Sequence, residues 1–98
     1  MLQNILDNDI LKSLYFTELK MLDLIVNPYA GRGRAKTDAR KVFEILDANN
    51  VKFAPHYTAR KKHATEIAYN LTLSGAETIV SVGGDGTIHE IVNGIILS

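Results

Sequence analysis

Residues 21–46 read MLDLIVNPYAGRGRAKTDARKVFEIL, and this stretch decides the fold. It opens with the apolar run Met21–Val26, which is typical of a strand buried in a parallel sheet. A glycine-bearing loop follows, and Thr37 is then predicted to cap a helix that has Asp38 in its first turn and ends at Asn49. A buried strand that leads through a glycine loop into a helix indicates one β-α unit of a parallel sheet.

The same unit recurs twice further along the chain. The later strands are predicted at 51–58 and 78–82, and the later helices at 62–74 and 87–97. Pro55 marks the second strand as an edge strand, because proline cannot donate a hydrogen bond to the sheet. Strands and helices that alternate with short connections predict an α/β fold, a three-layer, Rossmann-like parallel sheet with helices on both faces.

Residues 1–20 precede these units and are predicted to form an amphipathic helical extension. Their apolar side chains recur at three- and four-residue spacing, at Leu2, Ile5, Leu6, Ile10, Leu11, Leu14 and Tyr15. Three roles are open for such a helix: covering a face of the domain, pairing with another chain, or lying on a membrane surface. Its polar face is acidic, which argues against the membrane.

The composition excludes several kinds of protein and site. There is no cysteine, so disulfides and thiolate metal sites are excluded, and the three histidines lack metal-ligand spacing. No run approaches the roughly 20 apolar residues that span a bilayer, and residues 1–20 lack the pattern of a secretory signal. We therefore expect a cytoplasmic protein that contacts a membrane only at its periphery.

The net charge is zero but unevenly distributed. Residues 28–62 contain nine Lys/Arg and three Asp/Glu, which gives +6 there and −6 in the rest of the chain. The basic side chains form two groups, Arg32, Arg34, Lys36, Arg40 and Lys41, and then Arg60, Lys61 and Lys62. They are either solvated surface or a positive field that attracts a phosphorylated ligand. Nucleic acid is not expected as a partner, because the chain as a whole is neutral and lacks interleaved aromatic residues.

The first glycine loop, NPYAGRGR at 27–34, joins the first strand to the first helix. Glycine lets backbone N–H groups approach an anion, and the helix N-terminus adds partial positive charge, so the two together favour a phosphate. Asn27 is expected either to contact the ligand or to pin the turn. The loop matches neither the Walker motif nor G-x-G-x-x-G, so an ordinary strand-to-helix turn is equally compatible with it.

The second glycine loop, GGDGT at 83–87, is more specific. Three glycines in four residues are costly to order, and they let the backbone pass against a bulky ligand such as a triphosphate. Asp85 indicates a role with Mg²⁺ or in orienting an acceptor hydroxyl, and the alternative is a simple turn acid. Thr87 is expected to cap the third helix and to contact phosphate, with Glu90 at the spacing of a capping box.

Both glycine loops follow the carboxyl ends of predicted strands. If both contact one ligand, the first and third strands must be neighbours. This requirement predicts the strand order 2-1-3, with a topological switch point between the first and third strands.

The motif N-P-x-A-G at 27–31, Thr58 and the pentad at 83–87 together resemble the diacylglycerol kinase catalytic domain family of lipid kinases. The resemblance covers about residues 21–98. GGDGT is also typical of NAD kinases, and the N-P-x-A-G loop favours the lipid kinases. The resemblance implies ATP and Mg²⁺ as cofactors and a lipid hydroxyl as the acceptor.

The resemblance also implies which residues bind the nucleotide: Asn27, Pro28, Tyr29, Ala30, Gly31, Thr58, Gly83, Gly84, Asp85, Gly86, Thr87, Ile88, His89 and Glu90. Among them, Asp85 would act in catalysis by organising metal and phosphates, while the metal ligands themselves stay open. His89 departs from the family, in which many members carry asparagine, and an exposed or capping histidine is an equally compatible role.

The resemblance assigns residues 21–98 to the N-terminal, nucleotide-binding subdomain of a lipid kinase. The chain ends at Ser98 within an apolar helix, so we expect a fragment without the C-terminal β-sandwich domain that would hold the lipid pocket and the catalytic base. Three functions stay open. The chain is the ATP-binding part of a lipid kinase and inactive alone, part of an NAD kinase-type enzyme, or a non-catalytic module that binds nucleotide or forms a homo-oligomer.

Overall fold

The computed structural model describes residues 21–98, and the helical extension predicted for residues 1–20 lies outside that range. Strands and helices alternate along the described part of the chain. They are β1 (Leu22–Val26), α1 (Arg34–Ala48), β2 (Phe53–Tyr57), α2 (His63–Leu73), β3 (Ile79–Val82) and α3 (Asp85–Leu97). All six elements were predicted from the sequence, with boundaries that differ by a few residues.

The three strands form one parallel sheet in the order β2-β1-β3, which confirms the predicted order. The register pairs Val26 at the end of β1 with Tyr57 of β2 and with Val82 of β3. All three strands therefore end at the same edge of the sheet. Pro55 lies in β2, at an edge of this described sheet, as its missing N–H group predicted.

The two faces of the sheet carry separate apolar cores. Leu24 and Val26 of β1 point to one face, where α1 covers them with the buried side chains of Ala35 and Ala39. Ile25, which lies between them, points to the other face. There it packs against Ala64 and Ala68 of α2 and Ile91 of α3. Helices therefore cover both faces, and the three-layer prediction is confirmed.

Helices α2 and α3 lie side by side at very short range. A Cβ added to Gly94 of α3 would come within 2.3 Å of the carbonyl oxygen of Thr65 in α2. The Thr65 hydroxyl in turn donates a 2.8 Å hydrogen bond to the carbonyl oxygen of Glu90. These contacts fix the position of α3, and with it the position of the GGDGT segment. None of the helices between residues 21 and 98 is both long and apolar enough to cross a bilayer.

The predicted start of α1 was wrong by four residues. The helix begins at Arg34, and Gly33, with a φ of 91°, occupies the capping position. Thr37 is therefore an interior residue with no capping role, and Asp38 does not lie in the first turn. The earlier start includes Ala35 in the helix, where its side chain packs against the sheet and is 5% exposed.

The predicted start of α3 was wrong by two residues. The helix begins at Asp85, with Gly84 in extended conformation at the capping position, so Asp85 and Gly86 belong to the helix. Thr87 does not cap it. Its backbone N–H donates to the carbonyl oxygen of Gly84, and its side chain is buried. The capping box predicted for Thr87 and Glu90 is therefore absent.

Candidate functional site

The ends of the three strands are joined by backbone hydrogen bonds at the carboxyl edge of the sheet. The N–H of Asn27 donates to the carbonyl oxygen of Val82 at 2.9 Å, and the N–H of Thr58 donates to that of Val26 at 2.9 Å. The connections that follow β1, β2 and β3 therefore start close together. All three predicted binding segments begin at this edge.

The side chain of Asn27 connects the two glycine loops. Its Oδ1 accepts a 3.1 Å hydrogen bond from the backbone N–H of Tyr29, which pins the first loop as the sequence suggested. Its Nδ2 lies 3.5 Å from the hydroxyl oxygen of Thr87, to which it donates. Thr87 is 5% exposed, so this hydrogen bond joins the two loops below the protein surface.

A cleft of about 230 Å³ opens beside this contact. It is lined by residues from the connections after β1 and β2 and from α2 and α3: Asn27, Tyr29, Thr58, Ala59, Arg60, Lys61, Ala64, Thr87 and Glu90. Five of these were predicted as binding residues, and the structure brings them together. Thr58 is 8% exposed, so its side chain is fixed by the surrounding protein.

A smaller cleft of about 140 Å³ lies between the two glycine loops, on the side of α1. Its lining combines four predicted binding residues with three from the start of α1: Ala30, Gly31, Gly83 and Gly84, and then Arg34, Ala35 and Asp38. Two larger concavities, of about 610 and 400 Å³, are both lined by Met21, next to the start of β1 at the opposite edge. They contain none of the predicted binding residues.

Five predicted residues line neither cleft: Pro28, Asp85, Gly86, Ile88 and His89. Asp85 is the first residue of α3 and is exposed, at a position where the helix dipole favours a negative charge. His89 and Ile88 are exposed on the same helix. Their roles in binding stay predictions.

The glycines of the second loop have different surroundings. A Cβ on Gly83 would lie 2.5 Å from the hydroxyl oxygen of Thr87 and 2.9 Å from its Cβ, so Gly83 is required by packing. A Cβ on Gly84 or on Gly86 would meet no atom within 4 Å. The described protein itself therefore gives no steric reason for glycine at these two positions.

Positive charge reaches the clefts from two sides. Arg34 lines the smaller cleft, and Arg60 and Lys61 line the larger one. Arg60 also donates a hydrogen bond to the carboxylate of Glu66, and this guanidinium lowers the pKa of Glu66 below its ordinary value. Arg60 and Lys61 were noted as a basic group but were not predicted as binding residues. The signal in the sequence was the basic group itself, which suggested a positive field for a phosphorylated ligand.

Between residues 21 and 98, no group of three or more His, Asp or Glu side chains is arranged to hold a metal ion. The carboxylates near the clefts are few: Glu90 lines the larger one and Asp38 the smaller one, and Asp85 follows Gly84. This set fits an ion that is held mainly by a phosphorylated substrate and water, which is the usual mode of Mg²⁺.

The described chain is a three-layer α/β domain with two glycine loops at the carboxyl edge of its sheet. Comparison of the sequence gives the family. The model of the diacylglycerol kinase catalytic domain matches residues 21–97, so the chain belongs to this family.

Curated relatives are kinases from eukaryotes and bacteria. Sphingosine kinase 2 of Homo sapiens is 38% identical over 74 residues, which are 74% of this chain and 11% of the human protein. Sphingoid long chain base kinase 4 of Schizosaccharomyces pombe is 40% identical over 76 residues, or 74% of this chain and 16% of the yeast protein. Diacylglycerol kinase of Bacillus subtilis is 32% identical over 77 residues, or 79% of this chain and 25% of the bacterial protein. The chain thus spans 11% to 25% of the length of these relatives.

Proposed function

We propose that residues 21–98 form the ATP-binding part of a lipid kinase, which transfers the γ-phosphoryl group of ATP to a lipid hydroxyl. One observation carries the proposal: Asn27, Thr58 and Thr87 lie on the segments that follow three different strands, and they line one cleft at the carboxyl edge of the sheet. Open α/β sheets bind ligands in the crevice at this edge, where the strand order reverses. The gap between β1 and β3 is such a point, because the chain passes from β2 across β1 to reach β3.

The two glycine loops are suited to hold the phosphates. The first N–H groups of a helix have no partner within the helix, and they carry its partial positive charge. At the start of α3, Gly84 and Gly86 place no side chain near these groups. Arg34 and Lys61 bring full positive charges to the two clefts. A triphosphate at the start of α3 would therefore meet backbone donors and have a cation in the cleft on either side.

The described residues act mainly by positioning. Phosphoryl transfer needs little covalent chemistry from the protein, and catalysis comes from orientation and from neutralising charge. Asn27 and Thr87 hold the two loops at a fixed separation, and the buried Thr58 fixes the third side of the cleft. Bound Mg²⁺ would neutralise phosphate charge. Glu90 lines the larger cleft and Asp85 begins α3, so these two carboxylates would orient the ion or its waters.

The proposed acceptor rests on the relatives. The relatives are named as kinases of sphingosine, of sphingoid long chain bases and of diacylglycerol, which supports a lipid hydroxyl in this protein. Such an acceptor implies contact with a membrane surface during the reaction. Because the matched region is at most 25% of these relatives, we assign nucleotide binding to this chain and expect it to transfer no phosphate by itself.

Calorimetric titration of the chain with MgATP tests the proposal. We expect saturable binding by the wild type and loss of binding in Gly84→Val, because the valine side chain would fill space that the described protein leaves open. Gly84 has extended backbone angles, with a φ of −102°, so valine fits the backbone and the fold should be kept. A matching thermal unfolding midpoint in the two proteins would establish this.

Thr78→Val is the matched control. It places the same side chain next to the other end of β3, at an exposed position outside both clefts. This variant should bind MgATP as the wild type does. Absence of binding by the wild type at millimolar MgATP, or unchanged binding by Gly84→Val, would refute the proposed nucleotide site.

A further inference from the structure

The connection between β2 and α2, residues 58–62, provides the largest share of the larger cleft. Four of its residues line the cleft: Thr58, Ala59, Arg60 and Lys61. The connection also contains a backbone conformation that residues with a side chain seldom adopt, since the φ of Lys62 is 64°. Contacts with the rest of the protein are therefore needed to hold this shape.

His63, the first residue of α2, makes two such contacts. Its ring nitrogen Nδ1 accepts a 2.8 Å hydrogen bond from the backbone N–H of Ala59. Its own backbone N–H donates to the carbonyl oxygen of Arg60 at 3.2 Å. The ring thus ties the beginning of the connection to its end. The next residue, Ala64, is buried against the sheet, so the tie is anchored in the core.

The ion pair that Arg60 makes constrains this connection less. Arg60 pairs with Glu66, but both side chains are more than half exposed, at 57% and 55%. Exposed ion pairs contribute little, because water screens them and two long side chains must be ordered. The hydrogen bond between Ala59 and His63 spans four residues and ends on a backbone N–H, so it orders only one side chain and is the stronger constraint on the connection.

We propose that His63 is a positioning residue of the nucleotide cleft: its Nδ1 holds the 58–62 connection in the shape that presents Thr58, Arg60 and Lys61 to the ligand. This inference rests on the proposed function, since it names what sets the geometry of that site. The hydrogen bond requires an imidazole ring whose Nδ1 carries no proton, because a protonated nitrogen cannot accept.

Two substitutions remove the imidazole ring and differ in whether an acceptor atom stays at the position of Nδ1. In His63→Asn, the amide oxygen Oδ1 stands at the same number of bonds from the backbone as Nδ1 of histidine, so it can accept from Ala59. In His63→Gln, the oxygen stands one bond further out, and this hydrogen bond is lost. The two variants carry the same amide group, so each is the control of the other. Glutamine has the higher helix propensity, so weaker binding by His63→Gln would not come from a weakened helix.

Titration with MgATP and amide hydrogen exchange at Ala59 together test the proposal on the 98-residue chain. We expect His63→Gln to bind MgATP about tenfold more weakly, the effect of losing one hydrogen bond, and to exchange the Ala59 amide faster. His63→Asn should resemble the wild type in both measurements. Thermal unfolding of all three proteins is the control for folding. If the unfolding midpoint of His63→Gln equals that of the wild type, its weaker binding does not come from unfolding.

The two readouts distinguish failure of this inference from failure of the proposed function. If the wild type binds MgATP and both variants bind equally well or lose binding equally, the positioning role is overturned. If the wild type binds no MgATP, the proposed function fails, and amide exchange at Ala59 then tests the hydrogen bond between Ala59 and His63. Faster exchange in His63→Gln alone would support this hydrogen bond, and equal exchange in all three proteins would overturn it.

Discussion

The two glycine loops lie side by side and use glycine for different reasons. In the loop after β1, three consecutive residues have positive φ: 63° at Gly31, 59° at Arg32 and 91° at Gly33. The turn after β3 contains no positive φ, and Gly84 has an ordinary extended conformation. The first loop therefore needs glycine for its backbone conformation, and the second does not.

Within the second loop the reasons divide again. Gly83 has no room for a side chain, because Thr87 occupies the space. Gly84 and Gly86 have room, with nothing within 4 Å of a Cβ, and any residue could adopt their backbone conformation. Neither packing nor torsion accounts for these two glycines in the described protein. A ligand at the start of α3 would account for both, and this difference between the loops can be tested by substitution.

The largest effect on stability is expected for Gly83→Ala. The new methyl group would lie 2.5 Å from the hydroxyl oxygen and 2.9 Å from the Cβ of Thr87. Thr87 is buried and close to Asn27, so the clash can be relieved only by moving one loop against the other. Overpacking of this kind costs about 1–3 kcal/mol. Urea unfolding measures the loss, and MgATP binding should weaken in the same variant.

A double substitution checks the cause. Thr87→Ala removes two of the three atoms that the new methyl group would meet, the hydroxyl oxygen and Cγ2. Gly83→Ala should therefore cost less in the Thr87→Ala background than in the wild type. Strictly additive losses would mean that Gly83 is not required by its contact with Thr87.

The next effect in size is expected for Gly33→Ala in the first loop. No atom lies within 4 Å of a Cβ at Gly33, so only the φ of 91° opposes alanine. A left-handed conformation costs a residue with a side chain about 1–2 kcal/mol. Asparagine tolerates this conformation better, so Gly33→Asn should lose less stability than Gly33→Ala in the same urea experiment. Equal losses would show that torsion is not what selects glycine here.

The fold was largely predictable from the sequence because each element carried its own signal. The apolar run at Met21–Val26 and Pro55 identified a central and an edge strand, and the requirement that both glycine loops face one ligand gave the order 2-1-3. The helix starts were not predictable in this way. Sequence rules look for a polar capping side chain, such as Thr37 or Thr87, whereas both helices are capped by glycine without a side-chain hydrogen bond. Packing of Ala35 and Thr87 into the protein decided where the helices begin.

The site was predictable only where a motif marked it. Asn27, Thr58 and Thr87 were named from the resemblance, and they do line one cleft. Arg60 and Lys61 line it as well, but their position depends on the shape of the 58–62 connection. We propose that this shape is set by the hydrogen bond from Ala59 to His63, a local contact that hydrophobic periodicity and capping rules do not reveal.

The smallest effect on stability, and the most direct test of the comparison, is expected for Gly86→Ala. Gly86 lies in the first turn of α3 with a helical backbone and an open surrounding, so alanine should stabilise the fold by about 0.4–1 kcal/mol by restricting the unfolded chain. The same methyl group would stand where we place the phosphates. We therefore expect a variant with a higher unfolding midpoint and an affinity for MgATP reduced by about tenfold, or about 1.4 kcal/mol.

Thr37→Ala provides the control for Gly86→Ala. It raises helix propensity at an exposed interior position of α1, outside both clefts, and should also stabilise slightly, with MgATP binding unchanged. A loss of about 1 kcal/mol in this control would instead mean that Thr37 caps the helix after all. If Gly86→Ala gained stability and kept its full affinity, no ligand would lie against Gly86. Glycine at this position would then need an explanation outside the nucleotide site.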